Sequence, residues 1–126
     1  AKGKSYSQHI AEDLTLYGDR DSVQRMISIL LDNAVRYSDE GGAIQMRIYR
    51  RRSKICVEVS NTCDLPDVSD LDRLFDRFYR MDASRSAATG GTGIGLSMVR
   101  AIAEKHGGKA EVRSADGKEI CFRVMF

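Results

Sequence analysis

The stretch TGGTGIGLSMV occupies residues 89–99 and places four glycines within six positions, immediately before a helical pattern. Glycine allows positive φ and lets backbone N–H groups approach a ligand without a Cβ in the way. A helix N-terminus adds unpaired N–H donors and the positive end of the helix dipole. The stretch therefore predicts a phosphate-binding loop, and the alternative is a flexible hinge.

Leu96 separates this loop from the two commonest phosphate-binding motifs. A Walker A loop requires Lys at this position, and a G-x-G-x-x-G dinucleotide fingerprint requires Gly. The loop fits neither motif, so the rest of the chain has to decide its role.

The strongest periodicity upstream predicts a long amphipathic helix capped by Asp21 or Ser22. Its apolar stripe consists of Val23, Met26, Ile27, Leu30, Leu31, Ala34 and Val35. Asn33 falls on the border of this stripe, and Arg36 and Tyr37 lie one turn later on the same flank. One edge of a buried helix thus presents an amide, a guanidinium and a phenol. The alternative is an ordinary solvated helix boundary.

Alternating apolar residues predict strands before and after this helix. Two weak patterns cover 5–10 and 13–17, and a hairpin joins 43–49 to 54–60 through the basic turn 50–53. A second hairpin is predicted around Asp116-Gly117, between strands that contain 110–112 and 120–126.

Between the hairpins, a short helix is predicted over 68–78, capped by Asp67 or Ser69. The segment 79–92 is small, polar and without periodicity, so we expect a hinged lid. A second long helix follows the glycines and ends at Gly107-Gly108. These elements predict an α/β (α+β) two-layer sandwich, with a mixed, mostly antiparallel sheet on one layer of about three helices.

The amino-acid composition and net charge exclude some classes of function. The 126 residues are 42% hydrophobic, which suits one core, and the net charge of +2 is too small to suggest nucleic-acid binding. The three arginines at 50–52 are therefore interpreted as a solvated turn. Three cysteines without C-x-x-C spacing predict reduced thiols rather than a zinc site.

Three blocks then line up in order, and together they resemble the catalytic and ATP-binding domain of sensor histidine kinases. Residues 30–38 (LLDNAVRYS) resemble the N box, 73–82 (RLFDRFYRMD) the F box and 91–96 (GTGIGL) the G2 box. That domain belongs to the superfamily of gyrase, Hsp90, histidine kinase and MutL ATPases. The resemblance implies one catalytic and ATP-binding domain over 1–126 with a flexible ATP lid, as part of a larger sensor kinase.

The resemblance also implies residue roles. Asn33 would give its amide oxygen to the Mg²⁺ that bridges the ATP phosphates, since a hard cation prefers oxygen ligands. Arg36 would face the phosphates, and Tyr37 would lie against adenine or ribose. Arg80 and Arg85 would neutralise charge on the γ-phosphoryl group during transfer. The phosphates would be cradled by the loop residues Gly91, Thr92, Gly93, Ile94, Gly95 and Leu96.

The sequence departs from the family pattern at two positions. Asn61 stands where the G1 box has an Asp that binds the adenine amino group. The change keeps an acceptor oxygen but removes its charge, which we expect to weaken adenine selection by on the order of 1 kcal/mol. The residues that follow, 62–65, lack the G1 glycines. Ile29 replaces a second Asn of many members.

The implied function is transfer of the γ-phosphoryl group of Mg–ATP to a histidine on a separate dimerisation domain, upstream of a response regulator. His9 is followed by Ile10 and does not match that phosphoacceptor. We expect a cytoplasmic, monomeric domain of a homodimeric membrane sensor, without nucleic-acid partners. Two alternatives stay open: a serine-kinase anti-sigma factor or ATPase clamp, and a nucleotide-free interaction module.

Overall fold

The computed structural model describes residues 3–12, 14, 18–64, 71–76 and 95–126. The predicted lid over 79–92 lies outside the described residues, as does the predicted strand over 13–17 apart from Leu14. Within the described part of the chain, no helix is long and apolar enough to cross a membrane.

The described strands form one five-stranded sheet. They are β1 (Ser5–Ile10), β2 (Ala43–Arg51), β3 (Lys54–Thr62), β4 (Lys109–Arg113) and β5 (Glu119–Met125), arranged in the order β1-β2-β3-β5-β4. β1 is parallel to β2, and the other three neighbouring pairs are antiparallel. The predicted mixed, mostly antiparallel sheet is confirmed.

Among the residues that the structure describes, two α-helices and one 3-10 helix cover one face of this sheet: α1 (Arg20–Tyr37), the 3-10 helix (Leu71–Phe75) and α2 (Gly95–Lys105). Their buried side chains join those of the sheet in a single core, which includes Met26, Leu30, Val57, Val59, Phe75, Val99, Ala103, Phe122 and Val124. The predicted two-layer α/β sandwich is therefore confirmed, and the helical segments of the described residues are consistent with a layer of about three helices.

The alternation of β3 explains how the sheet faces its helices. Val57 and Val59 point into the core, so Glu58 between them points to the opposite, open face. Its neighbours in register there are Arg47 of β2 and Arg123 of β5. The same strand thus has an apolar inner face and a charged outer face.

The start of α1 differs from the prediction. The N-cap is Asp19, not Asp21 or Ser22: its carboxylate accepts from the Asp21 backbone N–H at 3.2 Å and from the Ser22 hydroxyl at 2.8 Å. All three residue types are good caps, so local preference could not choose among them. In the structure the Asp19 backbone N–H also donates to His106 Nε2 at 3.0 Å, a contact that a local pattern does not contain.

The helix predicted over 68–78 is also different in its described part. Residues 71–75 form a 3-10 helix, and Phe75 packs edge-on against Phe122 with ring centroids 5.9 Å apart. The predicted caps Asp67 and Ser69 lie outside the described residues. Leu71 and Phe75 are nevertheless buried and Leu74 packs against the core, so the predicted apolar positions face inward although the turn is 3-10.

Both predicted hairpins are present. β2 and β3 are joined by a two-residue turn, Arg52-Ser53, in which Arg52 has φ 58°. β4 and β5 enclose a turn in which Gly117 has φ 77° and Asp116 accepts from the Lys118 backbone N–H at 2.9 Å. The strands of the first hairpin extend two residues beyond the predicted bounds, because pairing continues to Arg51 and Thr62.

Candidate functional site

The start of α2 lies directly against the middle of α1. A Cβ added to Gly95 would be 3.1 Å from Ile29 Cγ2. The two helices are therefore so close at this point that position 95 has little room for a side chain. Ile29 lies one helical turn before Asn33 on the same flank. The contact therefore brings the end of the glycine-rich stretch next to the polar edge of α1.

The polar edge of α1 remains accessible. Asn33 and Tyr37 are half-buried, whereas Arg36 is exposed and its Nε lies 3.2 Å from Asp32 Oδ2. Sequence analysis missed this ion pair, although Asp32 and Arg36 have the i, i+4 spacing that indicates one. Because the pair is exposed to solvent, it orients the guanidinium without burying it, and the remaining N–H groups can bind a ligand.

Asn61 is the predicted site residue that is most deeply buried, at 2% exposed. It lies near the end of β3, between the core residues Ile44 and Ile120 of the neighbouring strands, and so faces the helical layer. Its Nδ2 donates to the Thr62 carbonyl oxygen at 3.1 Å. An aspartate could not donate this bond, because an ionised carboxylate only accepts.

Thr62 links the ends of α1, β2 and β3. Its carbonyl oxygen also accepts from the Asp39 backbone N–H at 3.1 Å, and its hydroxyl oxygen accepts from the Ala43 N–H at 2.9 Å. Asn61 therefore lies at the same end of the sheet as the C-terminus of α1. We call this region, with Asn33, Asn61 and Gly95, the site end.

The remaining predicted site residues divide into two groups. Gly95 and Leu96 are the first residues of α2, and Leu96 packs against the core while its N–H lies at the helix start. The others lie outside the described residues: Arg80, Arg85, Gly91, Thr92, Gly93 and Ile94. The start of α2 and the polar edge of α1 thus meet at Gly95, and the individual residue roles stay predictions.

The candidate metal ligands at the site end are oxygen atoms of side-chain amides. Among the described residues, no group of three or more His, Cys, Asp or Glu side chains could hold a metal ion. The polar side chains at the site end are amides, whose carbonyl oxygens suit Mg²⁺ when phosphate oxygens supply most of the coordination. The donor set therefore fits a metal that arrives with a phosphate ligand.

His106 has a structural role that the sequence indicated only in part. Its Nδ1 lies 2.8 Å from the Ile102 carbonyl oxygen, and its ring packs edge-on against Phe126 with centroids 5.7 Å apart. Nε2 accepts from Asp19, so the described contacts require the neutral ring protonated on Nδ1. The predicted helix end at Gly107-Gly108 places His106 in the last turn, but the bond to Asp19 required the tertiary structure.

An ion network covers the open face of the sheet, and the sequence analysis missed it. Buried Glu58 accepts from the Tyr49 hydroxyl and pairs with Arg47 at 3.4 Å and Arg123 at 3.6 Å. Arg123 Nη2 also donates to Glu111 Oε2 at 2.8 Å, which raises the pKa of Arg123 and lowers that of Glu111. Burial, assisted by Glu58, raises the pKa of Tyr49. The network stabilises the sheet and lies away from the site.

Comparison with known proteins gives consistent matches. The model of the family described as histidine kinase-, DNA gyrase B- and HSP90-like ATPase matches residues 18–126. The sensor protein VanS of Enterococcus faecium is 36% identical over 124 residues, which cover 98% of this chain and 32% of VanS. The signal transduction histidine-protein kinase BaeS of Escherichia coli is 35% identical over 111 residues, which cover 86% of this chain and 23% of BaeS. The chain thus spans a third or less of the length of these curated relatives.

Solved structures agree on the fold. The nucleotide-free catalytic domain of the histidine kinase ThkA superimposes with a TM-score of 0.83 at 24% identity, covering 99% of this chain and 79% of that one. The family model covers almost the whole chain, including the N-box and G2-box residues of the site end. The chain therefore belongs to the histidine kinase-, DNA gyrase B- and HSP90-like ATPase family, as a histidine kinase ATP-binding catalytic domain.

Proposed function

We propose that this domain binds Mg–ATP at the site end and transfers the γ-phosphoryl group to a histidine on a separate dimerisation domain in two-component signalling. The observation that carries the proposal is the contact of Gly95 with Ile29. It sets a helix start, which favours anions, beside a helix edge that holds an amide and a guanidinium. Asn33 follows Ile29 by about 6 Å along α1.

Each residue then has a proposed task. The Asn33 amide oxygen would bind Mg²⁺, which when bound would neutralise phosphate charge. Arg36 would contact phosphate oxygens and Tyr37 the adenine or ribose. Backbone N–H groups of 91–96 would hold the phosphates, and Arg80 and Arg85 would approach the transferred group.

Asn61 would accept from the adenine amino group. One N–H of its Nδ2 donates to the Thr62 carbonyl oxygen, which holds the amide in place. Its Oδ1, which can only accept, would be the atom that binds the adenine amino group.

Phosphoryl transfer requires little covalent chemistry from the protein. The chain would bind the nucleotide, align its γ-phosphoryl group with the accepting imidazole nitrogen and offset the negative charge. The bond from the β–γ bridging oxygen to phosphorus breaks as the nitrogen–phosphorus bond forms, and ADP leaves.

The remaining parts of the proposal concern the whole protein. The phosphoacceptor domain and a response regulator would be its partners, and the parent would be a homodimeric membrane sensor with this domain in the cytoplasm. The names of the relatives, sensor proteins and histidine kinases, support this assignment.

Two measurements test the proposal. A ligand that binds only the folded state raises the melting temperature, so Mg–ATP should stabilise the wild-type chain and Mg²⁺ alone should not. An absence of any shift would favour the nucleotide-free interaction module. In the full-length protein, the label from γ-labelled ATP should be acid-labile and stable in alkali, as phosphohistidine is. Acid-stable phosphoserine would favour the anti-sigma alternative.

A further inference from the structure

A cluster of cations lies at the turn between β2 and β3, and the proposed function does not use it. The cluster, called here the hairpin tip, consists of Arg50, Arg51, Arg52 and Lys54, so four of the five residues from 50 to 54 are basic. All four are exposed. The whole chain has a net charge of only +2, so the hairpin tip is a local concentration of positive charge.

The hairpin tip is not neutralised within the described part of the chain. None of its four cations lies within ion-pair distance of a described carboxylate, whereas Arg36, Arg47 and Arg123 each pair with Asp or Glu. Long unpaired side chains on a convex turn can adapt to a partner, but they do not form a preorganised pocket. The charge is therefore available to an external anion.

The backbone of Arg52 gives a second, independent observation. Its φ of 58° places it in the left-handed region, at the first position of a two-residue hairpin loop. Such positions ordinarily carry glycine or asparagine, because a side chain at positive φ is strained. The chain thus has an arginine where a glycine would give a less strained turn.

The hairpin tip lies far from the site end. Lys54 begins β3 and Asn61 lies seven residues later, which corresponds to about 23 Å along the strand. A partner bound at the hairpin tip would therefore leave the candidate nucleotide site open.

We propose that the hairpin tip binds an anionic lipid surface. A convex, unpaired cationic turn matches a flat surface of negative headgroups, and each cation near such a surface strengthens binding about fivefold. A phosphopeptide would need guanidinium groups held in place by neighbouring residues. Single-stranded nucleic acid would need exposed aromatic residues for stacking, and the hairpin tip has none. The contact would be weak and reversible, suited to a domain that is attached to the membrane by another segment.

Vesicle sedimentation tests the proposal with the purified chain. We expect binding to vesicles of phosphatidylcholine mixed with phosphatidylglycerol, little binding to phosphatidylcholine alone, and a fall in binding as salt is raised. The double variant Arg51→Gln/Arg52→Gln should bind the anionic vesicles about 25-fold more weakly. The matched control Arg25→Gln/Arg113→Gln, with the same net charge and both positions exposed, should stay within about twofold of wild type.

The variant Arg52→Gly separates charge from structure. It should raise the melting temperature, because glycine tolerates the φ of this position, and yet weaken vesicle binding about fivefold. Equal binding to neutral and anionic vesicles, no binding to either, or equal losses in the matched control would each overturn the proposal. Retention on double-stranded DNA without vesicle binding would also overturn it, in favour of a nucleic-acid ligand.

Discussion

The two ends of the sheet are built differently. At the site end, Asn33 is half-buried, Arg36 is exposed and the buried Asn61 donates from its side-chain nitrogen to the Thr62 carbonyl oxygen. At the opposite end, polar and aromatic groups from distant segments satisfy one another: Asp19, His106, Gly108 and Phe126. We call this second region the anchored end.

Because of this difference, we expect the stability of the fold and the rate of phosphoryl transfer to depend on different residues. A binding site must leave polar atoms available for its ligand, and this reduces what those atoms contribute to folding. The four residues of the anchored end have no such requirement, and their backbone N–H groups are paired. The exposed cations of the hairpin tip lie at the same end of the sheet and are not part of this region. Substitutions at the site end should therefore impair phosphoryl transfer without unfolding the domain, and substitutions at the anchored end should do the reverse.

The largest expected effect is at the site end. Asn33→Ala should lower autophosphorylation of the full-length protein on the order of a thousandfold, because a ligand of the phosphate-bound metal is lost. Its melting temperature should stay close to that of wild type, since the side chain is only half-buried. The control Gln24→Ala removes an exposed amide from the same helix and should leave both quantities unchanged. Retained phosphorylation in Asn33→Ala would contradict the assignment of the site.

At the anchored end, Gly108→Ala should cause the largest loss of stability. The added Cβ would lie 1.9 Å from the Met125 carbonyl oxygen, at the point where the start of β4 pairs with the end of β5. We expect a cost on the order of 3 kcal/mol in the free energy of unfolding, measured by denaturant titration. Lys109→Ala, at an exposed neighbouring position, serves as the control and should change it by less than about 0.5 kcal/mol. Similar free energies of unfolding for the two variants would show that the backbone at the anchored end can move to accommodate the added Cβ.

His106→Ala should have a smaller effect at the same end. The substitution removes the acceptor for the Asp19 N–H and the ring contact with Phe126, at a cost of about 2 kcal/mol. Gly18→Ala offers a steric test of the same contact, because its Cβ would lie 2.4 Å from His106 Cδ2. Mg–ATP should still stabilise both variants. Loss of nucleotide binding in either variant would contradict the proposal that the two ends act independently.

The smallest effect concerns the pH dependence of the N-cap. The hydrogen bond from the Ser22 hydroxyl, followed by backbone bonds, holds the pKa of Asp19 below its ordinary value of 3.8. A carboxyl group with a lower pKa in the folded state favours folding above its unfolded pKa, and this contribution is lost as the pH falls below 3.8. Asn is a comparable N-cap that does not titrate. The melting temperatures of wild type and Asp19→Asn should therefore converge in acid, and a constant difference would contradict this account.

Periodicity predicted most of the fold. The spacing of Met26, Leu30 and Ala34 identified the buried face of α1, and all three are almost fully buried. Alternation placed Val57 and Val59 on the inner face of β3. These predictions succeeded because a helix or strand that buries one face must repeat its apolar residues with its own period.

Local signals failed where several residues were equally suitable. Asp19, Asp21 and Ser22 can each cap a helix, and the observed cap, Asp19, also contacts His106, 87 residues later in the chain. The 3-10 helix at 71–75 likewise contacts a distant segment, through the packing of Phe75 against Phe122. Such choices depend on contacts between segments, which a local pattern does not contain.

By itself, the sequence determined the family, the two-layer architecture and the candidates Asn33, Asn61 and Gly95, because these follow from motif spacing and periodicity. Only the tertiary structure decided that Gly95 touches Ile29, that Thr62 orients the Asn61 amide, and that Glu58 pairs with two arginines. The physical reason is distance along the chain. Contacts within one helical turn or one strand are encoded by local spacing, whereas these close approaches exist only after helices and strands have packed together.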